Sequence, residues 1–208
     1  KQAEEDSIKK LSEILPPHLL NYYRSMKYSI SVGETAPKYF KECSFTNKKI
    51  DGSHYDWRFF RGIINEDYQR RMVLEKLLKN WFKFINANGL KSWLAHGSLL
   101  SWFFSSSIFP WDNDIDLQMA IKDLHKLCVY NNNSIVLEDL NEGFGEYYLD
   151  CNIDLFSRER NAGRNKIDAR FVDVQTGLYI DITGLSFSNT LTPQIYSSAI
   201  DFESNKFK

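Results

Sequence analysis

Asp112, Asp114 and Asp116 recur at intervals of two in Phe109-Pro110-Trp111-Asp112-Asn113-Asp114-Ile115-Asp116-Leu117. The alternation Asp114, Ile115, Asp116, Leu117 has the period of a strand, which sends both carboxylates to one face and both aliphatics to the other. Two acids fixed one pleat apart can hold a divalent cation against phosphate oxygens. A Gly-Ser turn, His96-Gly97-Ser98-Leu99-Leu100, lies shortly before them. Ser98 is expected to cap a helix over residues 99–104, whose first backbone amides would face a phosphate. For His96 the expected role is packing or a supporting hydrogen bond.

A third acid should come from a later strand. Asp181 in Tyr179-Ile180-Asp181-Ile182 interrupts an apolar run, and a buried carboxylate is costly unless it meets a cation or donors. Asp154 in Asn152-Ile153-Asp154-Leu155 competes for the same place.

The elements that must position these residues can be read from periodicity. Residues 66–88 form the clearest helix, with Met72, Leu74, Leu77, Leu78, Trp81, Phe82 and Ile85 as an apolar stripe. Arg70, Arg71, Glu75, Lys76, Lys79 and Lys83 fall mostly outside that stripe, and Asn88-Gly89 ends the helix. Strands are expected at 91–95, 114–119, 134–140, 147–156, 169–174 and 178–183, with a helix at 120–129. Residues 157–166 read as a basic loop. A short helix at 7–15 should stop at Pro16-Pro17, and residues 28–55 read as irregular or short-stranded. His54, Tyr55, Trp57, Arg58, Phe59, Phe60 and Arg61 form an aromatic and basic cluster, expected to pack on the core, with a sugar contact as its functional alternative.

These elements predict a mixed α/β (α+β) domain over residues 66–187, an N-terminal elaboration over 1–65 and a peripheral or mobile tail over 188–208. With 208 residues, 43% hydrophobic and 25% charged, the chain can bury a substantial core. A formal charge of −1 and the absence of a basic path argue against nucleic acid as a partner. Residues 92–111 carry no Asp, Glu, Lys or Arg, yet His96, Gly97, several serines and Pro110 favour a buried strand, turn and helix over a membrane span. The chain begins at Lys1 without a signal peptide, which fits a processed or excised piece. Cys43, Cys128 and Cys151 are too scattered for a zinc site. Buried free thiols are the expected state, and a Cys128–Cys151 disulfide remains open for a secretory protein. Asn132-Asn133-Ser134 is a glycosylation sequon, usable only in that setting.

The Gly-Ser-Leu-Leu turn and the Pro-Trp-Asp-Asn-Asp-Ile-Asp run together resemble the LicD/fukutin family of nucleotidyltransferase-fold proteins. Asn113 stands where the family pattern has an aspartate. A second block, from Ala169-Arg170-Phe171-Val172-Asp173 to Tyr179-Ile180-Asp181-Ile182, looks like the family's basic strand and its next acidic strand. The resemblance is nearest to fungal proteins required for adding mannosylphosphate to glycans, and covers about residues 66–185. It implies a nucleotidyltransferase-like core with a central mixed sheet. It further implies transfer of mannose-1-phosphate from GDP-mannose to a mannose hydroxyl of a glycoprotein glycan, with GMP released. Asp114, Asp116 and Asp181 would hold Mg²⁺ or Mn²⁺, and Asp181 would also accept the acceptor's proton. Gly97, Ser98, Asp112, Lys166 and Arg170 would contact the donor, and Gly97 would let the backbone approach its phosphates. The same resemblance admits a non-catalytic regulator of a partner mannosylphosphate transferase, or transfer of another phospho-alcohol. It places the protein in the secretory pathway, in the Golgi lumen, as part of a membrane-anchored protein. The family's late aromatic and proline-containing segment has no counterpart after Phe187, so a C-terminally truncated domain is expected.

Overall fold

The computed structural model describes residues 9–31, 38–41, 43, 54–155, 166–186, 200–201 and 206–207. Residues 157–165 of the expected basic loop, much of the N-terminal region and residues 188–199, 202–205 and 208 of the tail lie outside the described residues. Residues 9–14 are helical, as expected. The chain then restarts at once as α1, Pro17–Ser31. The Pro16-Pro17 pair was expected only to stop a helix. At the first helical position the missing proline N–H costs nothing and its fixed φ favours the helix, so Pro17 also begins one.

Helix α2, Asp67–Ala87, has Glu66 and Asn88 as its flanking residues, and Gly89 follows with φ 64°. Its buried face comprises Arg70, Leu74, Leu77, Asn80, Trp81 and Ile85. Met72, expected in the stripe, is exposed, while Arg70, expected outside it, is buried. The next elements are β1 (Ser92–Leu94), α3 (His96–Ser105), β2 (Ile115–Ala120) and α4 (Ile121–Asn131). Strands β3 (Ser134–Leu137), β4 (Glu146–Cys151), β5 (Ala169–Asp173) and β6 (Tyr179–Leu185) follow, then the short ladder β7 (Ile200–Asp201) and β8 (Lys206–Phe207).

Strands β1 to β6 make one mixed sheet in the order β1-β2-β6-β5-β4-β3, in which β2 runs parallel to β6 and the other neighbours are antiparallel. One face carries Ile115, Leu117, Leu149, Phe171, Ile180 and Ile182, all buried, against Leu74, Leu77 and Trp81 of α2 and Leu124 and Leu127 of α4. Phe171 is the centre of this layer, with ring centroids 5.3 Å from Trp81 and 5.1 Å from Tyr147. Period-two alternation sends Asp116, Asp181, Arg170 and Asp150 to the other face.

The segment after residue 54 covers part of that second face. Tyr55 bridges to Leu178, and the Asp56 N–H donates to the Gly177 carbonyl at 2.8 Å. Gly177 has φ 84°, and a Cβ there would lie 3.0 Å from the Phe60 nitrogen, so both conformation and close approach require glycine.

A disulfide joins Cys128 on α4 to Cys151 at the end of β4, with Cα atoms 5.8 Å apart. The free-thiol expectation fails for this pair because the helix packs directly over that strand end. Cys43 is free. Among the described residues no helix is long and apolar enough to cross a membrane. The uncharged 92–111 stretch forms β1, α3 and a loop, but its helix is not buried as expected. Leu99, Leu100, Trp102, Phe103 and Phe104 are all exposed, as is Trp111.

Candidate functional site

The acidic residues gather where β2 begins. Asp116 pairs in register with Asp181 across the parallel β2–β6 ladder, so those two acids are neighbours on one face. Asp114 and Asp112 precede the strand, both half-buried. Asp154 sits in the turn after β4, outside this row. It was the alternative to Asp181, and the strand ends too early to carry it.

The Asp116 peptide is clamped to the start of α3. The Ala95 N–H donates to the Asp116 carbonyl at 3.0 Å, and the Asp116 N–H donates to Ser98 Oγ at 2.9 Å. Ser98 therefore does not cap α3 as expected. The helix begins at His96, with Ala95 flanking it, and the serine hydroxyl ties its first turn to the acidic strand. His96 is exposed, not packed, and has a left-handed φ of 46°. Gly97 is exposed, and a Cβ there would meet nothing within 4 Å. Among the described residues nothing requires glycine at that position, which leaves room for a ligand.

Arg70 holds the acidic loop from below. Its guanidinium donates to the carbonyls of Asp112, Pro110 and Ile64, each at 3.3 Å, and pairs with Asp67 at 2.6 Å. His54 Nδ1 lies 3.5 Å from Asp114 Oδ2, bringing the N-terminal aromatic cluster to the site's edge. Within that cluster Tyr55 packs as expected, whereas Trp57 is exposed. Arg58 bridges Asp56 at 2.8 Å and Asp150 at 2.6 Å, and lies over the Tyr148 ring.

Arg170 is fully buried. Its Nε donates to Asp181 Oδ1 at 2.7 Å, and its guanidinium sits 3.7 Å from the Tyr179 ring centroid and 4.9 Å from that of Phe40. The cation expected to face a phosphate is paired with the acid expected to complete the metal site. Lys166 is exposed just before β5.

The acids nevertheless perturb one another. The Asp116 carboxyl is pushed up to about 6, first by burial and then by the charges of Asp114 and Asp181. Asp112 is raised by burial and by Asp114. A cluster of half-buried carboxylates is the donor chemistry of a hard divalent cation. Asp114 and Asp116 fit that description. Among the described residues no three His, Cys, Asp or Glu side chains converge closely enough to form a metal cage, and Asp181 is ion-paired with Arg170.

His54, Arg58, Arg70 and Asp150 were not singled out individually for these roles. Only Arg70 left a clear trace, since residues 70, 74, 77 and 81 share one helical face.

Residues 89–200 match the nucleotidyltransferase domain of LicD/FKTN/FKRP, which spans the α3 turn, the acidic strand and Asp181. The chain belongs to this family. It is 43% identical over 199 residues to Mannosyltransferase regulator 14 of Saccharomyces cerevisiae, covering 93% of this chain and 21% of that protein. It is 42% identical over 188 residues to Mannosyltransferase regulator 4 of the same yeast, covering 88% of this chain and 16% of that protein. The chain thus spans about a fifth or less of these relatives' lengths. The mixed sheet with an N-terminal helical elaboration is consistent with a nucleotidyltransferase-like core.

Proposed function

We propose that this LicD-family domain acts as a regulatory, nucleotide-sugar-sensing component of a mannosylphosphate transferase in the secretory pathway, in the Golgi lumen. The observation that carries this reading is 43% identity, across nearly the whole chain, to a protein named as a mannosyltransferase regulator. Two structural features support it. Asp181, the acid a catalytic site would use as base, is ion-paired with buried Arg170. The exposed apolar face of α3, beside the acids, offers a partner transferase a surface to bind.

In this reading Asp114 and Asp116 hold Mg²⁺ or Mn²⁺, which supplies countercharge for the diphosphate of GDP-mannose. Backbone amides in the first turn of α3 bind phosphate oxygens, and Gly97 leaves them accessible. Ser98 fixes that turn against Asp116, and Arg70 fixes the loop carrying Asp112. Asp112 and Lys166 border the donor, and the mannose-containing glycan is the partner's acceptor.

Catalysis by the domain itself is the second reading, favoured by the gathering of Asp112, Asp114, Asp116 and Asp181 around the starts of β2 and β6. It requires Asp181 to leave Arg170 before taking the acceptor's proton. Calorimetric titration with GDP-mannose and Mn²⁺, beside an Asp114→Ala/Asp116→Ala variant, tests both readings. Metal-dependent binding without GMP release, lost in the variant, is expected of the regulator. GMP release with mannose-phosphate on a glycan would establish the enzyme, and no binding by folded protein would refute both.

A further inference from the structure

On the core side of the sheet, away from the acids, a cavity of 310 Å³ opens between α1, α4 and the end of β4. Its size falls at the lower end of the roughly 300–1,000 Å³ typical of small-ligand pockets. His18, Asn21, Ser25, Tyr130, Asn132 and Asn152 are among the residues lining it, and no Asp, Glu, Lys or Arg lines it among the described residues. Uncharged amides and hydroxyls beside aromatic rings suit a neutral sugar. The His18 and Tyr130 rings lie 4.8 Å apart at this wall.

Asn132 gives this cavity a particular meaning. Asn132-Asn133-Ser134 is the sole Asn-X-Ser/Thr triplet in the sequence. It occupies the turn from α4 to β3, with Asn132 at the helix C-cap and Asn133 at φ 59°. Asn132 Oδ1 accepts the Cys151 N–H at 2.8 Å, so the side chain's carbonyl is committed to the fold. Substitution at Nδ2 leaves that bond intact, because an N-substituted amide remains a carbonyl acceptor. The neighbouring Cys128–Cys151 disulfide belongs to an oxidising compartment, where sequons are used.

We infer that Asn132 is an N-glycosylation site whose first sugar lodges in this cavity, covering the disulfide. The donor is a polyprenyl-diphosphate oligosaccharide, supplied with its transferase by the secretory pathway. A bond forms between Asn132 Nδ2 and the anomeric carbon, and the bond from that carbon to the diphosphate oxygen breaks. The electron pair departs on the diphosphate, and an amide proton passes to the transferase's base.

The test is expression of the full chain in yeast behind a secretory leader, with peptide mapping of the total cell-associated and secreted pools. Wild-type protein should carry one oligosaccharide on Asn132, trimmed by endoglycosidase H to the single first sugar. Ser134→Ala, which keeps the Asn132 side chain and its bond to Cys151, should lose the mass increment completely. Because the transfer precedes folding, the retained pool reports even if a variant is not secreted. An unmodified Asn132 in disulfide-bonded wild-type protein, or persistent modification in Ser134→Ala, overturns the site. Digestion of native protein should be slower than of denatured protein, and equal rates overturn the lodging of the sugar in the cavity.

Discussion

Replacing Asp116 with Asn should make the metal-free protein more stable. The side chain is half-buried beside like charges, and its carboxyl is raised from 3.8 to about 6. At about 1.4 kcal/mol per pH unit that corresponds to roughly 3 kcal/mol. Water screens much of this at a half-exposed group, leaving about 1 kcal/mol. The sign follows from proton linkage. The folded carboxyl holds its proton more tightly than the unfolded chain does, so the penalty is absent below about pH 4 and complete above about pH 6. Asparagine keeps the shape and both backbone bonds of Asp116 but removes the charge. In EDTA at about pH 7.5 the variant should therefore melt roughly 2–4 °C above wild type, and at about pH 4 the two should coincide. Thermal unfolding followed by circular dichroism reads this directly. A variant that melts at or below wild type at both pH values would refute the argument that the acids repel one another.

Arg170→Met leaves Asp181 buried without its guanidinium, and chemical denaturation should show a loss of about 3–5 kcal/mol. Removing the disulfide with a Cys128→Ala/Cys151→Ala pair releases a link spanning 23 residues, which should lower stability by about 3 kcal/mol in the same assay. Phe103→Asp/Phe104→Asp should leave the melting temperature nearly unchanged, because both rings are exposed, while weakening co-purification with a partner transferase. Unchanged co-purification would remove α3 as the partner surface.

Local patterns were legible in the sequence, and pairings across the sheet were not. The stripe over 66–88 locates α2 to within a residue at each end, and the alternation through Asp114–Leu117 yields the acidic strand and its buried aliphatic side. Both depend on neighbours in sequence. The adjacency of Asp116 and Asp181 depends on a parallel pairing across more than 60 residues, which a single strand's composition does not encode. Arg170 illustrates the consequence. A cation inside an apolar strand reads equally well as a phosphate ligand or as a buried partner, and only the antiparallel register with β6 sets it opposite Asp181. The disulfide was left open for the same reason. Ser98 was misread because a serine before an apolar run matches a cap, whereas the backbone turned helical two residues earlier and freed its hydroxyl for Asp116.

The charges across the second face separate structural acids from the others. Asp150 has Arg58 and the Tyr39 hydroxyl, and Asp181 has Arg170, so each of these buried carboxylates meets a fixed partner within the fold. Toward β2 the compensation thins: Asp114 has the exposed edge of His54 at 3.5 Å, and Asp112 and Asp116 are both raised by burial and by their neighbours. The fold can supply guanidinium partners, as it does twice on the same face, yet it crowds acids beside an open glycine and the start of a helix. A domain serving only as a scaffold gains nothing from that crowding, since neutralising Asp116 would stabilise it. The arrangement suits the regulator proposed above, in which a cation and a diphosphate would balance the acids when the nucleotide sugar is bound and donor supply would be reported to a partner.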